Sequence, residues 1–465
     1  MKKILKLSLF AMLMLVILVA CGDNDTSTAD DPDDDYDDQV EEVENGDDNG
    51  EEADDEPEPD DDGDDNGDVA EGLSPYAGET VVVGIWAGSD AEIAVRPDQE
   101  AAFTEETGIY IEWRVYTEFD DQLSTDLIAG TAPDVFYVDA FQFPRLHAEG
   151  VLVNMDDFIA NTPDFNLDDL YAGPLSAFTT ADGSIYGIPK DFSTLGLFYN
   201  IDMLEEAGFS PDDIPTTMED LPAFLAELAP ELPDGAIPAA TAADLARHVF
   251  ALEANGTPIT DADGFAVLAE DDQLEFIEML VSAFQDDLVA RPEDLGTDWS
   301  GDTFGLEHVA LMIEGNWAIG HVEGNFPDVN FGTRELPTMS GDNGTMVFTV
   351  SYSINSASSI PGAAWEFVNF VTGTEGMHIM TEGATLLPSR GSTSQLMDLY
   401  NHDILAPFVA GAAYATPWQA GVTGPIIARE YNNWLPMALS GDMTLQEAME
   451  QAVEDANADI EIHMQ

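Results

Sequence analysis

Cysteine and basic side chains are almost absent from this chain of 465 residues. The single cysteine is Cys21, so no disulfide can form within the chain. There are 12 lysine and arginine residues against 93 aspartate and glutamate residues, which gives a formal net charge of −81. A negative charge of this size excludes nucleic acid as a partner and disfavours direct adsorption to anionic lipid, because both surfaces would repel it.

Long apolar runs are absent too, apart from one near the N-terminus. Three lysines precede an apolar run over residues 7–20, which is short for a transmembrane helix and predicts a signal peptide over residues 1–20. The run ends in Leu18-Val19-Ala20-Cys21, which resembles the lipobox of bacterial lipoproteins. We therefore expect Cys21 to carry lipid and to anchor the protein to the extracellular face of the cell membrane. A plain signal peptide followed by an incidental cysteine is the alternative.

The segment 21–72 lacks basic residues and has almost no large apolar ones. It contains 27 of the 93 acidic residues. Such a segment cannot bury enough surface to offset its ordering entropy, so we predict an acidic disordered tether. The spacing from Asn45 to Glu56 echoes a calcium-binding loop, but low complexity explains it better, and we predict no metal site and no cofactor.

Residues 73–465 have an ordinary apolar content and alternate between strand and helix patterns. Their length of about 390 residues exceeds what one core usually supports, so two lobes are expected. The alternation predicts an α/β fold with a mainly parallel sheet. The predicted strands are 80–86, 109–116, 135–138, 194–200, 310–313 and 346–354, and the predicted helical stretches are 99–107, 120–129, 218–288, 361–371 and 426 onward.

Polar and aromatic side chains follow several of these strands. Ligands of parallel sheets bind at the carboxyl ends of the strands, where this sequence places Ser89, Asp90, Tyr116 and Asp139. In a chain so rich in acids, a loop aspartate is usually a solvated surface residue. Only its position relative to a strand end then distinguishes a candidate ligand-binding aspartate from such a surface residue.

An ordered set of short motifs runs along the chain from about Gly78 to Glu447. Its members are Gly130-Thr131-Ala132-Pro133-Asp134-Val135, Tyr186-Gly187-Ile188-Pro189, Phe198-Tyr199-Asn200, Glu314-Gly315-Asn316-Trp317 and Leu387-Pro388-Ser389-Arg390. Each motif alone is weakly specific, but the ordered set resembles the family 1 extracellular solute-binding proteins. These are maltose-binding-protein-like receptors of ABC sugar importers.

The resemblance implies a two-lobed clamp of the periplasmic-binding-protein type II, with lobes joined by hinge crossings. We expect lobe 1 to comprise residues 73–190 and 346–388, and lobe 2 residues 191–345 and 389–465. It further implies a monomer that is not an enzyme, that captures a sugar or oligosaccharide, and that passes it to the permease subunits of an ABC importer.

The resemblance also implies a set of ligand-binding residues. Those carried over are Ser89, Asp90, Asp139, Phe141, Asp191, Ser193, Asp244 and Trp317. Sugars need aromatic faces beside carboxylates, since their C–H faces stack on rings while their hydroxyls donate hydrogen bonds. Tyr116, Tyr352 and Trp418 are further aromatic candidates on this chemistry, although Trp418 fits a core position equally well.

Lys190 is the only lysine after Lys6. In a chain that has otherwise replaced lysine almost entirely, its retention beside Asp191 indicates a specific need for a cation at the predicted hinge. Lys190 either contacts a ligand hydroxyl or orients Asp191. An ion pair that merely holds the hinge loop is the equal alternative.

Other ligands and functions are compatible with the same residues. An aromatic cage edged by carboxylates also suits a cationic compatible solute or a polyamine. A surface glycoside hydrolase is a remote alternative, because paired carboxylates are uninformative in this composition and no nucleophile elbow or zinc motif occurs. A purely structural surface lipoprotein would explain the tether but not the motifs.

The acidity predicts a saline habitat and a salt-dependent fold. Repulsion between surface carboxylates destabilises the compact state at low ionic strength, and it is screened when the Debye length falls from ~10 Å at ~0.1 M salt to ~3 Å at ~1 M. We expect the melting temperature to rise steeply between low and molar sodium chloride in a thermal-unfolding series. A flat response would contradict the prediction.

Overall fold

The computed structural model describes residues 73–88, 90–384 and 386–463. The predicted signal peptide, Cys21 and the predicted tether lie outside the described residues. The strands are β1 (Thr80–Trp86), β2 (Tyr110–Tyr116), β3 (Val135–Asp139), β4 (Ile188–Asn200), β5 (Ile237–Ala240), β6 (Val289–Ala290), β7 (Val309–Gly315), β8 (Phe331–Arg334), β9 (Met346–Ile354) and β10 (Thr416–Pro417).

Helices separate most of these strands along the chain. They are α1 (Asp90–Thr107), α2 (Phe119–Ala129), α3 (Phe143–Ala148), α4 (Asp156–Ala160), α5 (Ala172–Ser176), α6 (Ile201–Glu206), α7 (Leu221–Leu228), α8 (Leu245–Leu252), α9 (Asp271–Gln285), α10 (Ser300–Gly305), α11 (Trp317–Asn325), α12 (Pro361–Val371), α13 (Thr374–Ala384), α14 (Gly391–Leu396), α15 (Ala406–Gly411), α16 (Gly424–Leu439) and α17 (Leu445–His463). No helix among the described residues is long and apolar enough to cross a membrane.

The strands follow one another in the order β2-β1-β3-β9-β4-β7-β5-β6, with β10 on β9 and β8 on β4. Parallel pairs lie towards both ends of this order. At one end α1 and α2 return the chain to the start of the next strand, and at the other end α8, α9 and α10 do so. The strands in the middle are antiparallel. The sheet is therefore mixed, and the prediction of a mainly parallel sheet was wrong for its centre.

Strand β4 pairs with strands in both halves of the sheet. Its first part, from Ile188 to Thr194, pairs with β9, whereas its second part, from Leu195 to Asn200, pairs with β7 and β8. The sequence predicted only the second part, because Pro189 and the charged pair that follows it hide the strand pattern of the first.

Other predicted elements agree closely with the structure. The strand 80–86, the strand 346–354 and the helix 361–371 have the bounds that were expected. The stretch 218–288 was expected to be mostly helical and contains the unpredicted strand β5, whose four residues are too few to show a period.

Apolar side chains fill the space between the helices and each half of the sheet. One cluster joins β1, β3 and β9 to α12, and a larger one joins β4, β5 and β7 to α7, α8, α9, α16 and α17. A third cluster lies where β4 and β7 meet α10 and α15. In it the fully buried Phe198 packs against Phe304, Phe331 and Phe408, with ring centroids 5.5–6.2 Å apart.

Phe198→Ala should lower the free energy of unfolding by about 3–5 kcal/mol, because the lost ring leaves a cavity among three other rings. Denaturant unfolding in molar salt measures this. Ile128→Ala is the control, since Ile128 is 89% exposed and its truncation should change stability by less than about 0.5 kcal/mol. Equal effects of the two changes would contradict the packing described.

Candidate functional site

Strand β9 brings together several of the predicted ligand-binding residues. Val350 is the register partner of Asp139 on β3 and of Asp191 on β4. Directly opposed residues of an antiparallel pair project from the same face, so the two aspartates flank Val350 on one face of the sheet. Two residues earlier on β9, Phe348 is the partner of Ser193, which extends the same face along the strand.

Lys190 sits where the ladder between β4 and β9 is irregular. The register shifts between Pro189 and Asp191, so Lys190 is the extra residue of a β-bulge. Its buried ammonium group forms ion pairs with Asp191 and, at 3.4 Å, with Glu92 of α1, and it lies 5.1 Å from the centroid of the Tyr137 ring. Burial lowers the pKa of Lys190, but the two carboxylates outweigh it and raise the pKa above its ordinary value. Lys190 is therefore held as a cation that links the crossing strand to α1.

Asp139 ends β3 beside a small pocket. Its carboxylate accepts a hydrogen bond of 2.8 Å from the backbone N–H of Phe141, and Trp86, Phe119 and Tyr137 line the space next to it. Burial raises the pKa of Asp139 to about 6, because the single hydrogen bond from Phe141 only partly offsets the loss of water. The negative charges of Asp120 and Asp191 act in the same direction.

Trp317 is the most exposed aromatic residue of the predicted site. It begins α11, 38% of its surface is exposed, and its ring meets the ring of Phe348 edge-on at 5.2 Å. The six-membered ring occupies the space that a Cβ on residue 315 would need, so only glycine at Gly315 allows this placement. This contact is the physical reason for glycine in the motif Glu314-Gly315-Asn316-Trp317.

Trp418 and Phe141 stack on one another. Their ring centroids are 4.6 Å apart and the ring planes differ by 3°. The backbone N–H of Trp418 donates to the carbonyl of Val347, next to Phe348 on β9. The structure therefore places Trp418 beside the loop that follows β3, although both rings are only partly exposed.

Two predicted tyrosines have other partners in this structure. Tyr116 is buried, and its hydroxyl donates to the carboxylate of Asp126 at 2.6 Å. Tyr352 is 1% exposed, packs edge-on against Phe367, and has its hydroxyl 3.5 Å from that of Tyr137. Both tyrosines are core side chains here, which corrects the expectation that they line an open surface. They were predicted from aromatic chemistry and, for Tyr116, from its place at a strand end, and neither criterion shows whether other side chains cover the ring.

Of the remaining predicted residues, two lie at the start of a helix and one lies outside the residues that the structure describes. The carboxylate of Asp244 accepts a hydrogen bond from the backbone N–H of Arg247 and so caps α8. Asp90 begins α1, and nothing is described of its side chain. Ser89 lies outside the described residues.

Sequence reasoning missed several residues that share this surface. Phe348 and Trp86 lie beside Trp317 and Asp139 respectively, and the guanidinium of Arg247 lies over the Trp317 ring. Arg247 carried a usable signal, because the scarcity of cations that drew attention to Lys190 applies equally to the arginines. Trp86 had the same position at a strand end as Tyr116.

The arrangement combines exposed aromatic surface with carboxylates and a buried lysine. Such a set binds ligands that present both apolar faces and hydroxyl groups. Within the ranges the structure describes, no group of three or more histidine, cysteine, aspartate or glutamate side chains is arranged to hold a metal ion.

Comparison with known proteins identifies the family. A family model described as bacterial extracellular solute-binding protein matches residues 100–407. The chain belongs to this family, and the family predicted from the motifs is confirmed.

Individual relatives are distant in sequence. A binding protein of Brucella abortus is 22% identical over 294 residues, which are 62% of this chain and 70% of that protein. The arabinooligosaccharide-binding protein of Bacillus subtilis is 23% identical over 269 residues, 56% of this chain and 60% of that protein. The structure of the sugar-binding protein MalE of Xanthomonas citri superposes with a TM-score of 0.73 at 20% identity, over 83% of this chain and 99% of that one. The predicted two-lobed α/β fold is thereby confirmed.

The half-buried carboxylate of Asp139 should make stability depend on pH. Its native pKa of about 6 lies above the ordinary value of 3.8, so between about pH 4 and pH 6 the native state keeps a proton that the unfolded chain has lost. The free energy of unfolding should therefore fall as pH rises through this window, by about 2–3 kcal/mol for this group. Asp139→Asn should remove that fall, so the stability of the variant relative to the parent should increase from pH 4 to pH 7 in urea unfolding.

Asp98→Asn is the matched control, because Asp98 is exposed in the middle of α1. Its stability relative to the parent should stay constant over the same pH range. A constant difference for Asp139→Asn as well would show that Asp139 is not buried as described.

Proposed function

We propose that this extracellular solute-binding protein captures a sugar or oligosaccharide and delivers it to an ABC importer. In this proposal the ligand lies across the face formed by Trp317, Phe348, Ser193, Asp191 and Asp139. The protein acts as a receptor and carries out no chemical reaction on its ligand.

The observation that carries the proposal is the exposed indole of Trp317 on the same face as two strand-paired carboxylates. Trp317 offers 38% of its surface beside Phe348, and Asp139 and Asp191 flank Val350 two residues further along β9. A pyranose ring has an apolar C–H face that stacks on an indole and a rim of hydroxyls that donate to carboxylates. The spacing of aromatic and acidic groups along one strand suits such a ligand.

Relatives support the ligand class. The Bacillus subtilis relative is named as an arabinooligosaccharide-binding protein, and the similar Xanthomonas citri structure is that of a sugar-binding protein. At about 20% identity these names do not transfer by themselves, so the proposal rests on the aromatic and acidic face of this chain.

Closure of the two lobes is part of the proposed mechanism. We propose lobe 1 as residues 73–190 with 346–388, and lobe 2 as residues 191–345 with 389–465. The strands that pass between them then act as the hinge, and closure excludes water so that each polar contact with the ligand becomes stronger. Lys190 acts in this scheme by fixing Asp191 against α1 at the hinge.

We further propose that the protein acts as a monomer at the extracellular face of the membrane, anchored by lipid on Cys21. The tether 21–72 then separates the binding domain from the anchor, and the permease subunits of the importer are its partners. Radiolabelled palmitate incorporation that is lost in Cys21→Ser tests the anchor.

Trp317→Ala should weaken saccharide binding by about 10- to 100-fold, because the stacking surface is removed while the carboxylates remain. Isothermal titration of the purified chain in molar salt against maltose, trehalose, arabino-oligosaccharides and xylo-oligosaccharides measures the effect. Tyr110→Ala is the control, since Tyr110 is 56% exposed at the opposite end of β2 from Tyr116 and should not affect binding.

Two results would contradict the proposal. Binding of glycine betaine or spermidine with no saccharide binding would keep the receptor fold and change the ligand class. Release of smaller sugars from an oligosaccharide during incubation would indicate a hydrolase instead.

A further inference from the structure

Arg247 contacts both rings of the aromatic platform that Trp317 and Phe348 form. Its guanidinium carbon lies 5.5 Å over the centroid of the Trp317 ring and 5.7 Å over that of Phe348. One cation therefore serves both aromatic rings of the candidate site. The side chain of Arg247 is largely buried, with 18% of its surface exposed.

Two acidic residues fix the guanidinium in this position. Glu314 accepts a hydrogen bond of 3.0 Å from Arg247 and another of 3.0 Å from the backbone N–H of Gly315, and its side chain is 1% exposed. Asp244, the N-cap of α8, lies 3.7 Å from the other terminal nitrogen. A carboxylate this deeply buried requires a paired cation, so Glu314 and Arg247 depend on each other.

A continuous set of contacts therefore holds Trp317 in place. The ring of Trp317 lies across Gly315, the backbone of Gly315 is bonded to Glu314, and Glu314 holds the guanidinium that contacts the ring. The planar guanidinium of arginine can bond a carboxylate and stack its plane on a ring at the same time, whereas the ammonium of lysine has no plane to stack.

We propose that Arg247 is a positioning and specificity-determining residue, which holds the Trp317 indole in place and makes the platform accept neutral saccharides while rejecting cationic solutes. This inference rests on the proposed function and deepens it. It decides between the two ligand classes that the aromatic and acidic composition leaves open.

A cationic ligand is disfavoured because the indole of Trp317 already interacts with the guanidinium of Arg247. The guanidinium draws the π-electron density of the ring towards itself, which leaves less negative potential for a second cation on the open part of the ring. A neutral pyranose face binds largely through dispersion and burial, so it loses far less.

The decisive variant is the double change Arg247→Met with Glu314→Gln. It removes both charges of the buried pair and so leaves no unpaired carboxylate inside the fold. Arg291→Met with Asp294→Asn is the matched control, because it removes an ion pair of one positive and one negative charge on the surface, away from the predicted site residues. Arg247→Lys retains the charge and loses the planar fork.

Each full-length protein is titrated with the best saccharide of the panel and, separately, with glycine betaine and tetramethylammonium, in molar salt. Tryptophan emission and its quenching by acrylamide are recorded alongside. For Arg247→Met with Glu314→Gln, we expect saccharide affinity to fall about 3- to 30-fold, the cations to gain at least tenfold in affinity, and quenching to increase. Arg247→Lys should lose saccharide affinity without gaining affinity for the cations, and the control pair should match the parent.

Failure of the inference and failure of the proposed function give different results. Suppose that a saccharide binds the parent and that Trp317→Ala weakens that binding as expected. If the ratio of cation to saccharide affinity is nevertheless unchanged in the double variant, the role of Arg247 is refuted while the sugar receptor stands. If the parent binds the cations and no saccharide, both the proposed function and the exclusion of cations are overturned.

Discussion

The antiparallel pairing of β9 with both β3 and β4 is the constraint on which the candidate site depends. The ladder aligns Asp139, Val350 and Asp191 in one row and Ser193 with Phe348 in the next. Since side chains alternate between faces, a slip of one residue in either ladder would send these groups to the opposite face. The register is secured at the buried end of β9, where Tyr352 packs between Tyr137 and Phe367. The buried packing of Tyr352 therefore fixes the register that keeps Asp139, Asp191, Ser193 and Phe348 on one face.

Three of the scarce cations lie where carboxylates or backbone carbonyls have lost water. Lys190 pairs with Asp191 and Glu92, and Arg247 pairs with the buried Glu314. Arg390, 3% exposed, lies 3.6 Å from Asp169 and donates to the carbonyl of Asn166. Breaking such a pair from one side leaves a buried charge without compensation, which is more costly than losing a surface ion pair. Lys190, Arg247 and Arg390 thus lie where carboxylates or backbone carbonyls are buried, whereas Arg145 and Arg429 form exposed surface pairs.

Local geometry explains why some aromatic residues lie in the core and others at the surface. Trp365 packs against Phe158 and Phe165 and donates its indole N–H to Thr162, so it is a core residue, as its place on an apolar helix face predicts. Trp317 instead begins a helix just after a strand, with its ring against Gly315 and the guanidinium of Arg247 over the ring. The contrast arises from local geometry, because a residue at the junction of strand and helix has no facing helix to cover it.

The sequence by itself determined the family, the α/β alternation, and the bounds of β1, β9 and α12, because these depend on local patterns and short motifs. It also indicated the importance of Lys190, since a single lysine in an acidic chain is visible without a fold. Only the tertiary structure decided that β4 continues through both halves of the sheet, that Tyr116 and Tyr352 are buried, and that Arg247 lies over Trp317. Those facts arise from register and from contacts between residues that are far apart in the chain, as with the 70 positions that separate Arg247 from Trp317. A linear pattern carries no record of which of its residues will face one another once the strands have paired.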